Sequence, residues 1–374
     1  HLTVSLKNKS RLQKLASWLN EFPENLATMN ILIIDDESDQ GGVNTRTDDE
    51  RTAINQCILN LTKLKSKSLN YVAYTATPYA NVLNEAEGDS LYPSSFIRTL
   101  PLNRSYFGPE LIFGTSPIDD SSSSDGVTSL DIVREISEDD MDTINDIHIG
   151  EDPDTPESFK DAVAWFLCGT AARRADGATA PTSMLVHTSQ RQDHHSEIAE
   201  EIRSLFQKDN FQFLKDSCHE IWERETNRLS LDKFNTQNKD YEGSATDYPE
   251  WSKLEPLIDE LIRGQIQHIQ LTEEGDITYS RSVHLCIDNC ANNKVGEEGQ
   301  LLRLFYPEDP LEYSAAFIIV GGATLSRGLT IEGLVSTYFL RTSRLGDSLM
   351  QMGRWFGYRR GYELLPRIWM SQYT

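Results

Sequence analysis

The sequence predicts an α/β protein with two lobes of parallel sheet, the second carrying a helical insertion. Three observations predict it. Short apolar runs of the buried-strand type alternate with segments of helical periodicity. That alternation occurs twice, over residues 1–114 and again over 158–374. Between the two runs lies a segment, 115–157, of very different composition: Asp119 to Glu157 holds fourteen acids and a single Lys or Arg, Arg134.

Taken in order, Leu2–Leu6 alternates like a short strand, and Ser10–Leu19 places Leu12, Leu15, Ala16 and Leu19 on one helical face. Asn30–Ile34 reads as a buried strand that runs straight into acids. Asp48–Leu64 is helical, with Ala53, Ile54, Cys57, Ile58 and Leu61 in register, and Tyr71–Tyr74 is a strand ending in Thr75-Ala76-Thr77-Pro78. The acidic segment, with Ser121–Ser124 and Pro153/Pro156, reads as a flexible insertion with no core of its own. The pattern then restarts: a helix over Phe159–Ala172, a strand over Ser183–His187 and a helix over Ser189–Phe206. Residues 208–280 read as a charged helical insertion with Trp222 and Trp251 as packing anchors. Strands follow at Val283–Ile287, Ala316–Val320, Val335–Leu340 and Pro366–Met370, with a helix over Leu345–Trp355 before the last.

Composition narrows the class. The longest strongly apolar stretch, Ala315–Val320, is far too short to span a bilayer, so no membrane partner is expected. The first residues carry neither an initiator Met nor a signal-peptide pattern, which predicts a cytoplasmic protein whose chain starts upstream of His1. Five irregularly spaced cysteines argue against a disulfide framework. Cys286 and Cys290 would make half of a metal site, but no second pair completes it, and buried thiols are the better reading. A net charge of -23 means that any nucleic acid must be held by a local groove rather than a basic surface.

The chemistry is concentrated at strand ends. Ile31–Ile34 stops in Asp35-Asp36-Glu37-Ser38-Asp39. Beyond the carboxyl end of a parallel strand, one carboxylate can hold hydrated magnesium against phosphates and a second can orient an attacking water. Thr75 and Thr77, at the next strand end, can link that acidic box to neighbouring loops. In the second half, Gly321-Gly322-Ala323-Thr324-Leu325-Ser326-Arg327-Gly328-Leu329-Thr330-Ile331 follows a buried strand. Its glycines permit close backbone approach to phosphate, and its hydroxyls can donate to it. Gln351-Met352-Gly353-Arg354-Trp355-Phe356-Gly357-Tyr358-Arg359-Arg360 adds three arginines whose forks suit phosphoryl oxygens.

The order D-E-x-D, T-A-T-P, R-G-L-x-I, Q-x-G-R-x-x-G-x-R resembles the motor motifs of superfamily-two helicases. The long forms of the last two resemble the Z1 domain family, which carries an endonuclease label and accompanies helicase modules in bacterial defence-type genes. The resemblance implies RecA-like lobes facing across a cleft, and a nucleic-acid-dependent ATPase using ATP and magnesium. It further implies Asp36 as a magnesium ligand through water, Glu37 as catalytic base, and Asp39, Gly328 and Gln351 at the nucleotide. Thr75, Thr77, Thr324, Ser326 and Arg327 would couple nucleotide state to nucleic acid, and Arg354 and Arg359 compete for the arginine-finger role. Thr330 departs from the pattern, standing where many helicases have an acid. DNA, other domains of the same protein and defence-system proteins are the expected partners. No Gly-Lys dipeptide exists in the chain, so the phosphate-binding loop is expected upstream of His1, leaving this stretch inactive alone. Two alternatives stay open: an endonuclease acting on DNA, and an inactive scaffold. Asp154, Glu157 and Lys160 superficially suggest a nuclease centre, but they are compressed within the acidic stretch. His194-His195 reads as surface.

Overall fold

The computed structural model describes residues 1–39, 53–76, 78–82, 90–101, 103–115, 128–243, 245–288, 299–322, 330–340 and 354–372. The chain divides into two compact units, His1–Pro101 and Leu102–Thr374.

The first unit comprises α1 (Lys9–Asn20), α2 (Pro23–Leu26), β1 (Asn30–Asp35), α3 (Ala53–Thr62), β2 (Ser68–Ala73) and α4 (Tyr79–Val82). Asn8 caps α1 by accepting from the Arg11 amide, which satisfies one of the helix's orphan donors. β1 and β2 pair in parallel, with Asp35 opposite Ala73. Ile31, Ile33, Leu69 and Tyr71 pack with Leu12, Cys57, Ile58 and Leu61 of α1 and α3. Within this unit the opposite face of β1 is uncovered: Leu32 and Ile34 are each 61% exposed. The predicted strand Leu2–Leu6 has no regular structure and no ladder pairing, and its apolar side chains face solvent. Alternation alone does not make a strand when no neighbouring strand supplies hydrogen bonds.

The second unit contains β3 (Tyr106–Phe107), α5 (Pro109–Phe113), β4 (Val133–Glu135), α6 (Glu138–His148), α7 (Glu157–Ala175), β5 (Thr182–His187), α8 (Gln192–Leu205), α9 (Phe211–Arg228), α10 (Leu231–Gln237) and α11 (Trp251–Arg263). It continues through β6 (Ile266–Gln267), β7 (Ile269–Leu271), β8 (Ile277–Thr278), β9 (Val283–Asp288), β10 (Gln300–Leu301), β11 (Ala316–Gly321), β12 (Leu334–Phe339), β13 (Gly357–Tyr358) and β14 (Arg367–Met370). Seven strands form one sheet in the order β4-β14-β12-β5-β11-β9-β6. Every pairing in it is parallel. Its central strands are buried on both faces, as their largely apolar sequences require. Met184, Val186, Leu285, Ile318 and Val335 pack against α7, α8, α9 and α11. The alternate residues Leu185, Cys286, Phe317, Ile319 and Phe339 meet Phe107, Ile112, Ile132, Phe234 and Trp355.

Three expectations change. The compact division falls after Pro101, so β3 and α5, expected in the first lobe, belong to the second unit, where β3 pairs with β13. Most of the supposed flexible insertion is structure. From residue 128 onward it supplies edge strand β4, paired with β14, and α6, capped by Ser137. Ile132, Ile136, Ile144 and Ile147 are buried there. Its acids lie on the outer faces, and sparse isoleucines at the right spacing anchor it; residues 116–127 lie outside the described set. The stretch 208–280 is also part of the core, because α9 and α11 pack directly on α7, with Trp222 stacked on Trp165. The predicted helix Leu345–Trp355 falls almost wholly outside the described residues.

Candidate functional site

Two groups of strand ends carry the candidate chemistry, one in each unit. In the first, β1 delivers the acids. Asp35, the last strand residue, is buried and fully engaged: Lys7 Nζ donates to its Oδ1 at 2.8 Å and Tyr71 Oη to its Oδ2 at 2.7 Å. Burial, then the Asp35 charge, push the Tyr71 phenol above its usual range, so it remains a donor. The chain then turns. Tyr74 N–H donates to the Asp35 carbonyl and Ser38 N–H to the Tyr74 carbonyl, fastening the acid turn to the end of β2. Glu37 sits at the apex in the left-handed region, φ 51°. For a residue with a Cβ this costs of order 1–3 kcal/mol and persists only where surroundings enforce it. Asp36 and Glu37 are exposed. Thr75 Oγ1 donates to Asp39 Oδ1 at 2.8 Å, joining the last acid of the box to the next strand end. The structure therefore unites Asp36, Glu37, Asp39 and Thr75 in one turn; Thr77 lies outside the described residues. Sequence reasoning missed Asp35, Lys7 and Tyr71, since their roles exist only once β1, β2 and the N-terminal segment are brought together.

One exposed carboxylate, Asp36, fits a hydrated magnesium ion held mainly by nucleotide phosphates, which needs no all-protein cage. Among the described residues no group of three or more His, Cys, Asp or Glu is placed to hold a metal ion by itself.

In the second unit the chain leaves β12 toward β14 but leaves its neighbour β5 the other way, toward β6. Beyond the carboxyl ends of two strands whose connections diverge in this way lies the usual ligand position in open parallel sheets. His187, Thr188, Ser189 and Gln190 leave β5 here, opposite Gly321 and Gly322. The His195 ring, on the first turn of α8, lies against both exits. A Cβ on Gly322 would stand 3.0 Å from its Cε1 and 3.4 Å from the Gln190 Cα. The second glycine is thus required by an imidazole, where the sequence suggested phosphate. His195 Nε2 bonds the Ser189 carbonyl at 3.0 Å, and His148 Nε2 meets Thr188 Oγ1 at 2.9 Å. His148 stacks on His194 with ring centroids 4.3 Å apart. Burial, then the neighbouring His194 and His195, push His148 down to about 4, so the His148 ring is neutral at pH 7. His195, expected on the surface, is 1% exposed. His148 of α6 meets His194 and His195 of α8 only through the α6–α8 packing.

Of the arginine motif, Arg354 is half-buried. Arg359 is buried and spends its guanidinium on its own loop: Nη2 donates to the Trp355 carbonyl at 2.8 Å and Nη1 to the Tyr358 carbonyl at 3.1 Å. It closes the turn that pairs Gly357 with Phe107. Thr324, Ser326, Arg327, Gly328 and Gln351 lie outside the described residues. Of the superficial nuclease cluster, Lys160 faces Glu157 at 3.7 Å while Asp154 points to solvent.

No curated protein and no solved structure matches the chain. The Z1 domain profile matches residues 158–374, more than half of the chain and nearly all of the seven-stranded sheet. The chain therefore belongs to the Z1 domain family.

Proposed function

We propose that this chain is the core of a nucleic-acid-dependent ATPase motor of the helicase type, with its two units as RecA-like lobes and DNA as its track. The observation that carries this reading is the 2.8 Å bond from Thr75 to Asp39 across adjacent parallel strand ends. A motor must transmit the state of its acid box to another loop, and a hydroxyl-to-carboxylate link between consecutive strand ends is suited to that. In this reading Asp36 faces hydrated magnesium and Glu37 orients and deprotonates the attacking water. Magnesium, when bound, neutralises phosphate charge. Arg354 stabilises charge on the transferred phosphoryl group, while Arg359, committed to its loop carbonyls, keeps Arg354 in place. The reading requires a phosphate-binding loop, which residues 1–374 do not contain.

The test is DNA-stimulated ATP hydrolysis and nucleotide affinity, measured on protein that includes such a loop. Glu37→Gln should retain nucleotide affinity and abolish turnover. Arg354→Ala should lower turnover by ~10³–10⁵, the range for an arginine finger. Arg359→Ala should act through stability of the 354–359 turn. Near-normal turnover in both Glu37→Gln and Arg354→Ala would refute the motor reading.

A further inference from the structure

We propose that Lys7 is the positioning residue of the acid turn: its ammonium holds the Asp36 and Glu37 peptides so that both carboxylates project outward. The inference rests on the reading of those acids as the nucleotide-facing pair. An ammonium has three donors, and all three are used at one place. They go to Asp35 Oδ1 at 2.8 Å, the Asp36 carbonyl at 3.0 Å and the Glu37 carbonyl at 2.7 Å. Two of the three acceptors are the backbone of the residues whose side chains matter. With its carbonyl pulled inward onto a cation, Glu37 adopts φ 51°, a conformation an isolated peptide would avoid. The Asp35 charge is simultaneously answered from inside the protein, by Lys7 and the Tyr71 hydroxyl, while Asp36 and Glu37 are the exposed residues of the turn and Asp36 Oδ1 accepts from the Glu37 amide at 3.1 Å. Lys7 thus does from the protein side what a bound cation would otherwise do to this turn: it gathers carbonyls and a carboxylate around one positive centre.

A simple ion pair and a positioning role predict different behaviour, and a double substitution separates them. Lys7→Met/Asp35→Asn removes both charges and leaves no buried ion unpaired. If Lys7 were only the counter-ion of Asp35, the turn would survive this change. We expect instead that the Glu37 Cα and Hα chemical shifts, read by NMR on selectively labelled chain, leave their left-handed values. Asp35→Asn alone should keep them, because Lys7 still grips two carbonyls. Manganese affinity, read by electron paramagnetic resonance, should fall at least about tenfold in the double variant, the usual effect of losing a residue that orients a metal's ligand. Left-handed Glu37 shifts in the folded double variant would overturn the proposal. If thermal melting shows that the double variant does not fold, Lys7→Gln decides. Its neutral amide has two donors and cannot hold all three acceptors, so unchanged Glu37 shifts there would also overturn it. Wild-type chain that binds no manganese while the shifts move as expected would uphold the role of Lys7 in the turn and count against the nucleotide reading instead.

Discussion

Gly322 lacks a side chain where the His195 imidazole needs the space. The consequence is measurable at a single residue. Gly322→Ala places a methyl 3.0 Å from the ring and must displace it, straining the Ser189 contact. Forcing a methyl into a packed site typically costs about 1–3 kcal/mol, and urea unfolding should show a loss in that range. The double variant Gly322→Ala/His195→Ala should be less destabilised than the sum of the singles, because removing the ring removes the clash. Additivity would show that the ring can move aside freely. At the same scale, left-handed Glu37 and the Arg359 guanidinium turned onto its own loop carbonyls are properties no residue type announces; each follows from neighbouring carbonyls and cations.

At the scale of elements, the second unit is stapled by a buried ion triad. Glu225 of α9 accepts from Arg134 Nε of β4 at 2.8 Å and from Arg367 Nε of β14 at 2.6 Å. Arg367 also stacks on the Trp165 ring of α7, 4.5 Å from its centroid. Burial opposes the charged carboxylate, yet the two guanidiniums outweigh it and hold Glu225 below the usual carboxylate range. Removing one member leaves buried charge uncompensated, so Glu225→Ala should cost about 3–5 kcal/mol in urea unfolding. Replacing all three together, Arg134→Met/Glu225→Leu/Arg367→Met, should cost clearly less. An equal cost would mean that the triad contributes attraction beyond mutual compensation. This staple also explains why an acidic segment became a sheet edge: Arg134, its one Lys or Arg, is the residue that ties it down.

For the whole molecule, buried neutral histidines dominate the expected response to mild acid. Burial pushes His148 and His284 down to about 4, and it lowers His195 and His268. His284 spans β9 and β11 as a neutral ring: Nδ1 lies 3.1 Å from the Ala316 carbonyl, and Nε2 accepts from Ser280 N–H at 2.9 Å. A histidine whose folded pKa lies below its unfolded value of about 6.5 favours folding while both states are neutral. That stability is fully present above pH 6.5 and is lost as pH falls toward 4. Asp161, which burial raises to about 6, and Asp176, which burial also raises, work in the opposite sense but are outnumbered by the histidines. Unfolding free energy should therefore decline between pH 6.5 and 4.5, by about 1.4 kcal/mol per pH unit for each proton taken up. His284→Gln should reduce that slope; an unchanged slope would remove His284 from the account. No helix among the described residues is long and apolar enough to cross a membrane.

The sequence alone determined the central strands of the second unit, because a strand buried on both faces needs mostly apolar residues in succession, and β5, β9, β11 and β12 each carry such a core, with Ser183, His284, Ser336 and Thr337 buried among them. It also determined that acids follow β1 and threonines follow β2, since both lie next to their strand in the chain. It misread whatever depended on distant partners. Residues 128–157 looked like solvated linker because acids outnumber isoleucines there, while β14, on which β4 pairs, and Glu225, which Arg134 meets, come from elsewhere in the fold. Leu2–Leu6 looked like a strand because alternation is local, but pairing is not. His194-His195 looked exposed beside charged neighbours, while the cleft that buries His195 is made by α6 and the exits of β5 and β11. Only the tertiary structure decided that Lys7 grips the acid turn and that Arg359 closes its own loop. Hydrogen-bond partners separated by many residues leave no periodicity for a sequence to show, whereas burial of a strand or helix writes its period directly into the chain.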